Sequence, residues 1–411
     1  MRALSWVPTT FVVALLTVSL PASAESQELS ESEAIARALA DNVRLRAVRA
    51  RPAQTAVEQQ LRRLPPNPTF TFTQESSAGT RDRFFLVQQE LPTSGRLGLL
   101  RQAGAAAVLA DDLRVRQAEF EVRQDVRSAF ARLTAAQTRV QNVTEMLATL
   151  EGLTNRLAER ERAGDGSLFD RLRAERELAD VKAERRAAEG RLVDARASLA
   201  ALLGMTGAPP LRAAAPPGAL VPVPSLEVAL ATARSRRLEL QTADAELRRL
   251  EFDQRAAARL GRPRPFAAGG VKQTGAGGAS DTGYSVSLGV ALPLFNRGKA
   301  DVAAAGAALT TARAERDALA VELEQDVRSA HARAGLMVSL LEDYRRDALD
   351  RSRELVRIAT AAYDDGELGI LELLDAHRTL VQAELRVLEL TVEGRLAMID
   401  LDRAVGEEVG R

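Results

Sequence analysis

The chain switches between two hydrophobic periods, and the switch points outline its elements. Tyr284, Val286, Leu288, Val290 and Leu292 fall on one face of a period-two segment, with Ser285, Ser287, Gly289 and Ala291 on the other. That alternation predicts a strand with one apolar side. Phe70 and Phe72 alternate with Thr69, Thr71 and Thr73 in the same way. Arg83 to Leu91 and Pro265 to Thr274 share the character less regularly, and Gly/Ser-rich stretches at 76–82 and 275–283 join each pair into a hairpin.

Elsewhere the apolar spacing is three to five. Val115, Phe120 (with Val122), Val126, Phe130 and Leu133 form a narrow stripe on a charged, proline-free run from Leu97 to Ala163. A stripe that narrow predicts a coiled-coil seam on a helix about 100 Å long at 1.5 Å per residue. Gly164-Asp165-Gly166 ends it, and a second helix is expected from Leu168 to Leu203, stopped by Gly204. The pattern returns as a helix from Gly298 to Tyr363, a break at Asp364-Asp365-Gly366, and a helix from Leu368 to Val405 before Gly406. Shorter helical stretches precede each strand pair. Ser30 to Leu64 opens with Ser30 and Glu33 in capping-box spacing, and Leu226 to Leu260 follows Ser225 as its cap. Both run into prolines: Pro65-Pro66-Asn67-Pro68 and Pro263-Arg264-Pro265.

The two halves are copies. Gln124-Asp125-Val126-Arg127-Ser128-Ala129-Phe130-Ala131-Arg132 recurs as Gln325-Asp326-Val327-Arg328-Ser329-Ala330-His331-Ala332-Arg333, identical at eight of nine positions. Leu91-Pro92 with Arg96 recurs as Leu292-Pro293 with Arg297 at the same offset of 201. A duplication follows. The expected organisation is a leader at 1–24, a first repeat at 25–206, a Pro-rich linker at 207–224 and a second repeat at 225–411.

The leader reads as an export address. Arg2 supplies a positive start, Phe11 to Leu20 a short apolar run, and Ala22-Ser23-Ala24 a small-x-small cleavage site before Glu25. The run is too short for a membrane-spanning helix, which needs about 20 residues. No other long apolar run exists, so any membrane crossing falls to strands. Seven of the 13 aromatics after the leader (Phe70, Phe72, Phe84, Phe85, Phe266, Tyr284 and Phe295) sit in or beside the strands, which decides against random loops. Strands of about nine residues, apolar on one side, fit a transmembrane barrel; a small soluble sheet packed on the helices is the alternative. Four strands cannot close a barrel with a useful lumen, and lipid tolerates no open edge. A cyclic oligomer follows.

Composition narrows the classes. Basic and acidic residues number 56 each, with no basic block, so no nucleic-acid partner is expected. Cysteine is absent, which removes disulfides, thiol chemistry and thiolate metal sites. No nucleophile motif, phosphate loop or paired acid/base cluster exists, so neither enzyme activity nor a cofactor is expected. His331 stands where the first copy has Phe130 and is expected to fill the same packing position. His377 with scattered carboxylates lacks the ligand count of a metal site, so none is expected.

The order of helix, hairpin and long helical hairpin, given twice around a Pro-rich linker, resembles the TolC-like outer membrane factor family over essentially the whole mature chain. Gln89-Glu90-Leu91-Pro92-Thr93-Ser94-Gly95-Arg96 and Leu292-Pro293-Leu294-Phe295-Asn296-Arg297-Gly298 resemble barrel-to-helix junctions of its CzcC-like, heavy-metal efflux branch. Tyr363, Gly366 and Leu371-Glu372-Leu373-Leu374-Asp375-Ala376 resemble the family's periplasmic tip.

The resemblance implies a mainly α fold with a small β part. A trimer would form a 12-stranded outer-membrane barrel continued by a periplasmic helical tunnel. It implies a passive exit duct in the outer membrane of a Gram-negative bacterium. A periplasmic adaptor (membrane fusion protein) and an inner-membrane pump of RND type would be its partners. Heavy-metal cations are the expected cargo; multidrug efflux, type I protein secretion and a periplasmic adaptor or scaffold role are alternatives. The same resemblance makes Glu372 and Asp375 a gate and gives Tyr363, Asp170, Gly164 and Gly366 to tip closure and its turns. A ring of carboxylates near one axis would favour cations. Leu368 stands near a place where the family often has a basic residue, so the closed-state link is expected to be built differently here.

Overall fold

The computed structural model describes residues 28–206, 210–214, 220–276, 278–295 and 297–409. The expected leader, 1–24, lies outside them. The chain is mainly helical with a small sheet. The first half runs β1 (Glu28–Leu29), α1 (Glu31–Asp41), α2 (Val43–Arg62), β2 (Thr69–Ser77), β3 (Thr80–Glu90), α3 (Arg96–Ala163) and α4 (Leu168–Leu202). After β4 (Arg212–Ala213) follow α5 (Leu226–Arg236), α6 (Leu238–Ala257), β5 (Arg264–Ala276), β6 (Ala279–Ala291), α7 (Lys299–Tyr344), a π-helical turn (Arg345–Leu349), α8 (Asp350–Asp364) and α9 (Ile370–Val405).

Four differences from the sequence reading have local causes. The stretch 30–64 is two helices, because the Asn42 side chain accepts from the Arg44 and Leu45 N–H groups and restarts the helix. The second stretch breaks likewise at Arg237, which is extended and buried. The hairpin loops are shorter than the Gly/Ser-rich stretches: Ser77 pairs with Thr80 across Ala78 and Gly79, whose φ values are 48° and 81°. Two consecutive positive φ angles suit the right-handed twist of the strands. The helix expected through Gly298 to Tyr363 is interrupted by the π turn. From Asp125 to Gly164 is 39 residues and from Asp326 to Gly366 is 40. The π turn absorbs that one extra residue, so the tip keeps its register.

The burial on α3 is wider than a coiled-coil seam. Val126 and Leu133 are buried as expected, but so are Gln124, Arg127 and Thr134. In its middle the helix is clad by α1, α4, α6 and α9 on several sides. One core there gathers Val122, Val126, Phe130 and Leu133 with Leu45, Leu199, Leu203 and Leu211. Its counterpart packs Val327 and Ala334 of α7 against Ala229, Ala233, Leu401 and Val405. The described linker residues 210–214 are tied to the helices. Leu211 is wholly buried, β4 pairs in parallel with β1, and the Ala213 N–H donates to Gln137 at 2.8 Å.

Candidate functional site

Two regions carry the features that bear on function. The first is the four-stranded antiparallel sheet, ordered β2-β3-β5-β6. Antiparallel partners share a face. The register pairs Phe70 with Val87, Phe72 with Phe85, Phe85 with Val271 and Val271 with Tyr284. Val286, Leu288 and Val290 continue that side. One apolar face thus runs unbroken across all four strands, and it is uncovered: Tyr284 is 89% and Leu288 81% exposed. Phe72 and Phe85 hold their ring centroids 5.1 Å apart on it. The opposite face carries Thr69, Thr71, Thr73, Gln88, Ser285 and Ser287, with Lys272 bound to Asp82 at 2.8 Å and lying over Phe84. An exposed apolar sheet of this extent is costly in water and suited to lipid. Among the described residues no helix is long and apolar enough to cross a membrane.

The second region is the far end of the long hairpins. Gly164 and Gly366 both take left-handed conformations, φ 84° and 79°. Each closes a helix in the same way: Asp165 N–H reaches the Arg160 carbonyl, and Glu367 N–H the Ala362 carbonyl. That Schellman closure needs a residue tolerant of positive φ. Ser167 caps α4 through the Phe169 N–H, and Asp170 lies in the first turn that follows. Glu161 pairs with Arg171 across the first tip.

One apolar cluster fastens the two tips together. Leu147, Leu150, Leu153 and Leu157 of α3 meet Ala174 and Val181 of α4 and Ile370, Leu373 and Leu374 of α9. Positions 370, 373 and 374 share one face of α9, so 372 and 375 turn away from it. Glu372 and Asp375 are accordingly exposed. Asp375 is 3.1 Å from Arg378. Tyr363 packs at the edge of the cluster, and its hydroxyl accepts from Arg160 at 3.3 Å. The partner tying Tyr363 to the first hairpin is therefore Arg160.

Cross-links above the tips, not expected from the sequence, join the helices. Arg139 of α3 reaches Glu184 of α4 at 2.9 Å and Glu389 of α9 at 3.0 Å. Burial pushes both carboxyls up, but hydrogen bonds from Arg139, with Arg191 on Glu184 and Arg386 on Glu389, outweigh it and hold both below their ordinary value. Higher up, Arg127 binds Asp402 at 2.6 Å and Glu31 at 3.1 Å, and Arg395 also holds Glu31. A charged residue inside an apolar stripe, as Arg127 is between Val126 and Phe130, was the available signal. His331 does not reproduce Phe130: it is half-buried, and its Nε2–H donates to the Pro224 carbonyl at 2.8 Å. His377 lines a groove of about 210 Å³ with Glu145, Glu177 and Glu384, and burial lowers its pKa. No cluster of three or more His, Asp or Glu able to hold a metal exists among the described residues.

Residues 229–407 match the family described as outer membrane efflux protein. No curated protein matches the chain. Its fold is that of several solved structures. A membrane protein from Pseudomonas aeruginosa is 21% identical with a TM-score of 0.73, the match covering 94% of this chain and 93% of that one. CusC, whose structures concern folding and transmembrane channel formation, is 18% identical with a TM-score of 0.74, covering 95% and 96%. The open MtrE outer membrane channel of Neisseria gonorrhoeae is 20% identical with a TM-score of 0.73, covering 93% and 90%. The family signature thus lies in residues 229–407, and the fold along nearly the whole length of the chain is the one these solved structures share.

Proposed function

We propose that the chain is the passive exit duct of a tripartite efflux system, working as a homotrimer that receives cargo from a periplasmic adaptor and an RND-type inner-membrane pump. The observation that carries the reading is the sheet. It has one continuous apolar face and two open edges, β2 and β6, and it stands on helical rods about 100 Å long. Open edges in lipid must be paired, and strands from further copies pair them. Three copies of four strands make a barrel of twelve, wide enough for a lumen. The rods then carry the duct through the periplasm.

The tip is the gate in this reading. Glu372 and Asp375 are exposed on a hairpin whose apolar side is used up in holding the two tips together. Repeated around an axis, they form a ring of carboxylates that attracts cations and resists closure. Heavy-metal cations are the proposed cargo, on the junction motifs at 89–96 and 292–298. The purified protein in a planar bilayer tests the gate. Glu372→Ala with Asp375→Ala should lower cation preference, and an unchanged reversal potential would reject it. Loss of the gene should sensitise cells to heavy-metal cations; sensitivity to drugs alone would reject the cargo.

A further inference from the structure

The apolar side of the sheet changes character toward the hairpin turns. Side chains alternate between the two faces of a strand, and antiparallel partners share a face. The row Phe72, Phe85, Val271 and Tyr284 ends the apolar band on the side of the turns. From Tyr284 to Val290 that band is about 20 Å tall at the usual rise per residue. The lipid-facing belt of a barrel is ~25 Å tall and is edged by aromatic residues. One row nearer the turns, the same face carries Gln74, Arg83, Gln273 and Thr282. The row after that is Ser76, Arg81, Gly275 and Ser280.

Charge is sorted between the two faces at this end. Glu75 pairs with Asp82, Asp82 with Thr274 and Thr274 with Asp281, so all three acids share one row on the opposite face. Arg81 and Arg83 are the charged residues that β2, β3, β5 and β6 place on the apolar side. Both are exposed. Asp82 stands between them in the chain but points away, to the face where Lys272 holds it at 2.8 Å. The Arg83 Nε–H donates to Gln74 at 3.3 Å, which leaves its terminal nitrogens without a carboxylate among the described residues.

Two arginines at that level suit one kind of ligand. The row just beyond the aromatic edge is where lipid headgroups begin. Arg81 and Arg83 are two positions apart on one strand, about 7 Å, so both guanidiniums can converge on a single phosphate. A guanidinium holds phosphate through paired, charge-assisted N–H···O bonds, which an ammonium or an amide does not match. With the acids turned to the other face, no carboxylate competes for that phosphate. Phe70 and Phe72, both exposed, and Phe85 lie directly below, where acyl chains would run.

We infer that Arg81 and Arg83 bind the phosphate of an acylated glycolipid in the outer leaflet, one lipid per copy, with its acyl chains against Phe70, Phe72 and Phe85. The inference rests on the lipid-embedded barrel proposed above and gives that barrel a lipid site. Native mass spectrometry of the full-length protein in neutral detergent, titrated with diphosphorylated lipid A, tests it. The parent should take up one lipid A per copy. Arg81→Gln with Arg83→Gln should weaken uptake by about tenfold or more, the loss expected for charge-assisted bonds. Lys272→Gln, on the other face, should bind as the parent does. Lipid A stripped of its phosphates should bind the parent as weakly as intact lipid A binds the double variant. Tight binding of the stripped lipid, or an equal loss in Lys272→Gln, overturns the site. Release of bound lipid A by inorganic phosphate alone also overturns it, in favour of a free-phosphate site. A parent that conducts in planar bilayers yet takes up no lipid A overturns the lipid site and leaves the duct standing. A parent that forms no channel overturns the barrel, and the site with it.

Discussion

Arg127 and Arg328 occupy the same place in a nine-residue motif, yet their surroundings have little in common. Arg127 is 7% exposed and meets Asp402 and Glu31 from two other helices. Arg328 has a side chain 45% exposed and bonds one turn back along its own helix, to Glu324. The local sequence sets the helix in both places and does no more than that. What an arginine is worth depends on whether a second element takes it out of water. A buried pair is costly to break because the partner is left charged and alone. An exposed i, i+4 pair competes with water and salt and is worth little.

Removing the two arginines in turn should give the largest difference between the repeats. Arg127→Ala should destabilise the protein by about 3–5 kcal/mol, since Asp402 stays buried without its partner. Arg328→Ala should cost less than about 1 kcal/mol. Urea midpoints of the two variants in the same detergent measure the gap, and equal shifts would mean the motif acts locally after all.

A smaller effect is expected at the next level down. Arg139→Met removes a clamp that is partly solvated and should cost about 1–2 kcal/mol, between the surface and buried ranges. Its pH dependence is diagnostic. Glu184 and Glu389 have folded pKa values below their ordinary ones. The stability they contribute is present above the ordinary carboxylate range and is lost as the pH falls through the depressed values. Thermal midpoints followed from neutral to acid pH should therefore fall less steeply in Arg139→Met than in the parent; parallel curves would remove the clamp from the account. Smallest of all is Tyr363→Phe. It deletes one exposed bond, to Arg160, and should shift stability by under about 1 kcal/mol. A larger loss would show that the tips lean on this contact more than on the apolar cluster around Leu373.

The elements that were legible in advance are those whose signal is local. Strict alternation from Tyr284 to Leu292 marked β6, and the glycines at 164, 366, 204 and 406 marked the ends of four helices. The prolines within 65–68 and 263–265 marked the passage from helix to strand. The breaks at Asn42 and Arg237 were less legible, because neither interrupts the helical composition around it; a side-chain cap and a buried guanidinium decide them. The π turn was hidden for another reason. One extra residue leaves no compositional trace, and it shows only when the spacing from motif to tip glycine is compared between repeats.

At the tip, the turn glycines and the outward placement of Glu372 and Asp375 follow from helical periodicity once Ile370, Leu373 and Leu374 are taken as the buried side. Which residue Tyr363 would meet did not follow. The tertiary approach of α8 to α3 supplies Arg160, 203 positions away in the chain. The same holds for Arg139, whose two glutamates lie on two different helices.

The duplication, the helix and strand periods, the turn glycines and the two-sided character of the strands can all be read along the chain. Each of these is written in residues that are neighbours along the chain, where backbone sterics and the 3.6 and 2.0 periods act directly. Which copy of a repeated motif is covered and which is left open cannot be read there and is set by long-range packing. That choice depends on what packs over a helix from hundreds of residues away. α9 lies over Arg127 and Arg139, and no equivalent helix of the same chain lies over Arg328 and Leu340 among the described residues. Burial sets the energy of a charge, and burial belongs to the fold and not to the motif.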